Sequence, residues 1–167
     1  TNWGLALQNG VLQVAMPRFK KGKQMLKGIP AILPPELLMH LCEMGHSDRL
    51  LIADGNFPVH TVGENAYVIR MDGHGVCEIL DAVLRLLPLD TYVEKPVSIM
   101  QKVPGDTVAT PIWDEFEQIV QKHEERKNVI GSVERFAFYE EAKSCYVIIA
   151  TSEKALYGNI MLQKGVV

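Results

Sequence analysis

Apolar positions along this chain switch between helical spacing and short continuous runs, and each change of period marks an element boundary. Leu37, Leu38, Leu41 and Met44 recur at helical spacing behind Pro34-Pro35. They predict a first helix, because a proline at its start lacks only an amide donor that the first turn leaves free anyway. Gly45 is expected to stop that helix, since glycine takes the left-handed conformation without a side-chain clash. The run Arg49–Ala53 is apolar on both faces, as an interior strand of an α/β sheet is. A polar loop over 54–58 follows, and then a second strand over 66–70 closed by Asp72-Gly73. Val76, Ile79, Leu80, Val83 and Leu84 share one face of a helix over 75–87, which Pro88 ends.

Residues 97–103 read as a strand running into the turn Pro104-Gly105-Asp106. A third helix follows Pro111, with Trp113, Phe116, Ile119 and Val120 inward. Residues 133–138 read as a strand that runs into a short helix over 139–143, and buried strands over 146–150 and 159–163 complete the chain. Strands alternating with helices define an α/β fold: a single domain with layered helices around a mixed, largely parallel sheet.

Composition narrows the classes. The 167 residues suffice for one domain with a full core, at 47% hydrophobic and 22% charged content. A net charge of −3 offers nucleic acid or an anionic membrane no electrostatic attraction. No apolar run approaches the roughly 20 residues that span a bilayer. The three cysteines, Cys42, Cys77 and Cys145, each sit in an apolar run and form no C-x-x-C pair. Buried free thiols in a reducing cytoplasm are expected, and no structural zinc. The basic knot Arg18, Lys20, Lys21 and Lys23 follows a mildly apolar stretch instead of preceding it, which argues against a secretory signal. Met25 is the expected natural start, with residues 1–24 an extension or an artificial leader and residues 25–167 the functional domain.

The candidate chemistry clusters around the first strand. His46 stands near its entrance, where an imidazole either works in a cleft or caps the preceding helix. Asp54 stands at its carboxyl end, the edge where open α/β sheets place ligands, although an aspartate before glycine also closes turns. Asn56 either meets a ligand or closes the same turn. Arg135, flanked by aromatics, is either a fork of donors to ligand hydroxyls or a side chain snorkelling over apolar surface. Tyr157-Gly158-Asn159 forms a polar kink before the last strand. His40, His60, His74 and His123 have no metal-ligand spacing, and His40 and His123 are expected on solvent-facing helix surfaces. Asp72-Gly73-His74-Gly75 lacks the rest of a phosphate-binding loop and reads as a turn with a helix cap.

Taken together and in order, several segments resemble the family of L-fucose mutarotases and D-ribose pyranases. They are Met25-Leu26-Lys27-Gly28-Ile29-Pro30, Pro35-Glu36-Leu37-Leu38, Met44-Gly45-His46 with Asp48, Asp54-Gly55-Asn56-Phe57-Pro58, Ile69-Arg70-Met71-Asp72-Gly73, Arg135-Phe136-Ala137-Phe138-Tyr139-Glu140, and Tyr157-Gly158-Asn159 before Lys164-Gly165-Val166. The Asn-Phe-Pro loop and the segment from Arg135 look like the fucose branch. The resemblance implies a D-ribose pyranase-like fold, His46 as proton donor, and Asp54, Arg135, Tyr157 and Asn159 as sugar-binding positions, with Tyr139 a further contact. It also implies a cytoplasmic enzyme without cofactor or metal, assembled as a ring-based homo-oligomer such as a decamer of stacked pentamers. Residues of one subunit could then sit in a neighbour's site.

The implied reaction suits these residue types. Mutarotation opens a cyclic hemiacetal and recloses it on the other face, which needs one proton delivered to the ring oxygen and one taken from the anomeric hydroxyl. A histidine with an ordinary pKa of about 6.5 handles such a proton near neutrality. Asp54 is expected either to orient that imidazole or to hold a sugar hydroxyl. The rival readings are pyranose–furanose conversion of D-ribose, a sugar-binding module without catalysis and, more distantly, a metal-dependent enzyme.

Overall fold

The computed structural model describes residues 26–167, together with the backbone of two short antiparallel strands, β1 (Leu5–Gln8) and β2 (Val11–Val14). The expected boundary between residues 24 and 25 and the basic knot before it lie outside the described residues. From there the chain runs α1 (Pro35–Glu43), β3 (Arg49–Ala53), α2 (Val59–Val62), β4 (Tyr67–Met71), α3 (Val76–Leu84) and β5 (Val97–Met100). It continues through α4 (Ile112–His123), β6 (Ile130–Val133), α5 (Arg135–Ala142), β7 (Val147–Thr151) and β8 (Ile160–Gln163).

Strands β3 to β8 form one sheet in the order β4-β7-β3-β8-β5-β6. β4 with β7, β7 with β3, and β5 with β6 are parallel, while β8 lies antiparallel between β3 and β5. The mixed, largely parallel α/β sheet expected from the sequence is therefore the one found. Successive side chains on a strand point to opposite faces, and both faces here are apolar. Leu50, Ile52, Val147, Ile149, Ile160 and Leu162 pack one way, against Leu37 and Leu41 of α1, Ile79, Leu80 and Val83 of α3, and Phe116 and Val120 of α4. Leu51, Ala53, Ile148, Ala150 and Met161 pack the other way, against Val59 and Val62 of α2 and Phe138 and Ala142 of α5. The result is three layers, with the sheet in the middle.

Because β8 alone is reversed, the carboxyl ends of β3, β5 and β6 share one sheet edge with the amino end of β8. The registers Ile52 with Ile160 and Ile99 with Ile160 place that edge, and Arg49 with Gln163 places the opposite one. β3 by itself holds the two edges about 16 Å apart, at about 3.3 Å per residue.

Several expectations need correction. α1 ends at Glu43 rather than at Gly45, and the left-handed residue of the following turn is Ser47, with φ 70°. Gly45 instead gives its amide to Asp48 Oδ2 at 2.7 Å. Residues 134–138 are not strand. Glu134 caps α5 by accepting from the amides of Phe136 and Ala137, so Arg135 opens a helix. Phe138 and Ala142, one helical turn apart, are its buried positions. His40 is buried: its Nδ1 lies 3.0 Å from Glu43 Oε2 and its ring stacks on Tyr67. His123 is largely covered too, with Nε2 2.9 Å from Asp81 Oδ1. Of the cysteines, all free, only Cys145 is buried; Cys77 is half-buried and Cys42 exposed.

Candidate active site

At the carboxyl edge of β3, Asp54 and Asn159 interlock. The Asp54 amide donates to Asn159 Oδ1 at 2.9 Å, and Asn159 Nδ2 donates back to Asp54 Oδ2 at 2.8 Å. Both residues are buried, at 6% and 3% exposure. The other carboxylate oxygen accepts from the Asn56 amide at 2.9 Å. The aspartate therefore closes its own turn and faces a ligand edge at once. Burial pushes its carboxyl pKa up; the hydrogen bonds from the Asn56 amide and the Asn159 side chain offset this only in part.

Around this pair opens a cleft of about 180 Å³. Asn56, Phe57, Arg135, Tyr139, Leu156 and Tyr157 line it, with Met100 from β5 and Asp106 from the turn after it. Its size is well below the roughly 300–1,000 Å³ of drug-sized sites, which suits a small ligand. Arg135 and Tyr139 share a face of α5, one turn apart, and the guanidinium lies 5.8 Å from the Tyr139 ring. Among the described residues that guanidinium forms no ion pair, so its donors remain available. Tyr139 packs on Phe57, ring centroids 5.4 Å apart, making an apolar wall. A larger depression of about 500 Å³ between α4 and the β5–β6 edge is lined by apolar side chains such as Trp113 and Ile130, and its polar side chains, among them Glu94, Asp114 and Glu117, are all exposed. It contains none of the site residues expected from the sequence.

Tyr157 takes a left-handed backbone, φ 59°. Its carbonyl accepts from Trp113 Nε1 at 3.1 Å, and its hydroxyl donates to Asp106 Oδ2 at 2.6 Å while accepting from the Val103 amide. The phenol holds the Asp106 carboxyl below its usual range. Gly158 next to it is required by close approach, since a Cβ there would lie 2.9 Å from the Ala155 carbonyl. Asp106 is a site residue that the sequence showed only as part of a turn.

Five of the six expected site residues, Asp54, Arg135, Tyr139, Tyr157 and Asn159, thus meet in one cleft of one chain. His46 does not. It precedes β3 and stands at the opposite sheet edge, 43% exposed, with Nε2 3.1 Å from Asp90 Oδ2. Asp54 does not orient this imidazole, and no α1 carbonyl receives it as a cap; Asp90, unnoticed in the sequence, is its partner.

A buried carboxylate locked to an amide, a free guanidinium, two phenols and an aromatic wall form a site for a small, polyhydroxylated ligand. Directed hydrogen bonds would fix such a ligand and apolar surface would cover it. No cluster of metal-ligating side chains occurs among the described residues. The chain belongs to the RbsD / FucU transport protein family, whose model matches residues 27–167. It is 48% identical to the fucose mutarotase of Homo sapiens over 145 residues, 84% of this chain and 94% of that protein. Among solved structures, FucU from Bifidobacterium longum is 63% identical, with a TM-score of 0.83 over 84% of this chain and 99% of that one. The fucose mutarotase of Streptococcus pneumoniae, solved in complex with L-fucose, is 42% identical, with a TM-score of 0.80 over 85% and 99%.

Proposed function

We propose that this protein is an isomerase that interconverts the α and β anomers of L-fucose. The observation that carries the reading is the cleft itself, where the Asp54–Asn159 lock, Arg135, Tyr139 and Tyr157 converge on a space of monosaccharide scale. The resemblance to fucose mutarotases over most of both chains supports the choice of sugar.

In this reading His46 delivers a proton to the ring oxygen as the bond from C1 to that oxygen breaks, its electron pair leaving on the oxygen. Asp54 accepts the proton of the anomeric hydroxyl, whose oxygen becomes the aldehyde carbonyl. Burial, which raises the proton affinity of Asp54, fits it to that task. Rotation about the C1–C2 bond and the reverse proton movements close the ring on the other face. Arg135, Tyr139, Tyr157 and Asn159 hold the hydroxyls, and the Phe57–Tyr139 wall covers the apolar side of the sugar.

His46 lies at the far sheet edge from the cleft, so it enters the site of a neighbouring subunit. This placement supports a ring-based homo-oligomer, for which we propose the decamer of stacked pentamers; a heterologous, head-to-tail contact closes such a ring. We place the enzyme in the cytoplasm, in keeping with its three unpaired cysteines.

The test is saturation transfer between the anomeric proton signals of L-fucose at neutral pH. Exchange well above the buffer rate is expected. Exchange at the buffer rate, or acceleration confined to D-ribose ring forms, contradicts the assignment.

A further inference from the structure

We propose that Asp106 is a positioning residue for Tyr157: it takes the hydrogen of the phenol, so that Tyr157 meets the sugar only as a hydrogen-bond acceptor. This rests on the reading of the cleft as an L-fucose site, and it names what faces the phenol there, the hydrogen of a sugar hydroxyl.

Asp106 lies in the segment between β5 and α4 and lines the cleft together with Tyr157. The chain turns tightly at this point. The Asp106 amide donates to the Val103 carbonyl at 2.9 Å, Gly105 takes a left-handed φ of 87°, and Asp106 Oδ1 accepts from the Val108 amide at 2.9 Å. Lys102 Nζ donates to the Val108 carbonyl at 3.0 Å and ties the two arms of the loop. The phenol is held from its own side as well, because the Tyr157 carbonyl accepts from the Trp113 indole.

Two contacts decide the state of the hydroxyl. The Val103 amide, 3.2 Å away, can only donate, so the phenol oxygen accepts there. Asp106 is exposed, and the phenol and the Val108 amide favour its ionised form. An ionised carboxylate can only accept, so the 2.6 Å contact to Oδ2 carries the phenol hydrogen. A hydroxyl has one hydrogen and two lone pairs, and a single lone pair is therefore left for a ligand. Donation to a carboxylate polarises the phenol and makes that lone pair a stronger acceptor. Arg135, lining the same cleft, has only donors to offer. The two side chains thus ask opposite things of the hydroxyls they meet, and Asp106 maintains the difference.

Asp106→Ala frees the phenol hydrogen and should weaken L-fucose binding, followed by titration calorimetry, about fivefold. In the Tyr157→Phe background the same change should cost nothing further, within about twofold, because its effect runs through the hydroxyl. Parent-like affinity in Asp106→Ala, or losses that add in the double variant, overturns the positioning role. A parent that fails to bind L-fucose overturns the reading of the cleft instead. Neutron maps of the deuterium-exchanged parent, with and without L-fucose, locate the hydrogen without any variant. In both maps the Tyr157 hydrogen is expected on the line to Asp106 Oδ2, and in the complex a sugar hydroxyl points its hydrogen at the phenol oxygen. A Tyr157 hydrogen turned into the cleft overturns the proposal even where a variant fails to fold.

Discussion

Tyr157 keeps a left-handed backbone that bulky side chains rarely adopt, and such strain persists where surrounding contacts over-determine it. Here they are the Trp113 indole on its carbonyl and Asp106 on its hydroxyl. Tyr157→Phe keeps the ring and the indole contact but loses the hydroxyl. L-fucose affinity, followed by titration calorimetry, should weaken about tenfold, the worth of roughly one directed hydrogen bond. Thermal unfolding should shift by less than about 4 °C. Unchanged affinity would remove the phenol from the binding set.

Asp90 makes a second prediction, in pH. Burial pushes its carboxyl up, yet the Tyr92 amide, Gln163 and His46 together hold it below the usual range. A carboxylate depressed in the folded state adds stability above its unfolded pKa of about 3.9, and that stability is lost as pH falls through the lower folded value. Asp90→Asn should therefore unfold at lower urea than the parent at pH 7, and the gap should close as the pH is lowered towards about 2. A gap independent of pH would mean that the carboxylate charge is immaterial.

Individual residues were legible where their own neighbours in sequence decide their setting. Asp54 before glycine at a strand end is one such case. His40, expected on a solvent-facing surface, instead stands three residues after Leu37 on the buried face of α1, where Tyr67 of β4 and Tyr146 just before β7 cover it. Asp90 and Asp106 gain their roles from partners 44 and 51 residues away, which no local pattern reports.

At the scale of elements, interior strands read well because both their faces are buried. β3 lies where the apolar run put it and β7 is displaced by a single residue; β4, an edge strand with Tyr67 and Arg70 exposed, is displaced by one as well. The helix expected over 139–143 starts four residues earlier, at Arg135, because Phe136-Ala137-Phe138 mimics strand alternation, whereas Phe136 is exposed and the buried pair keeps helical spacing. The Glu134 cap decides the matter, and it also aims Arg135 and Tyr139 into the cleft. Glu134→Ala should cost about 1 kcal/mol, or about 2–4 °C in thermal midpoint, and weaken L-fucose binding severalfold. Full retention of both would show that packing of Phe138 and Ala142 alone fixes the helix start.

The whole molecule explains why the site could be read only in part. Reversal of β8 brings Asn159 beside Asp54 and carries Gln163 to the other edge, beside Asp90 and His46. Spacing along the chain left open whether the late residues join the early ones within a subunit; the sheet order answers for Arg135, Tyr139, Tyr157 and Asn159. It also separates His46 from all of them. The central claim is therefore a fucose mutarotase site built from the cleft of one subunit and the histidine of the next.

Its most direct test is complementation. His46→Ala and Arg135→Ala oligomers, each nearly inactive alone, are dissociated, mixed in equal amounts and reassembled, and L-fucose anomeric exchange is measured. If each site takes its cleft and its histidine from different subunits, about a quarter of the sites are intact and about a quarter of the parent rate returns. If mixed oligomers of parent size stay as inactive as either variant, the shared site is contradicted.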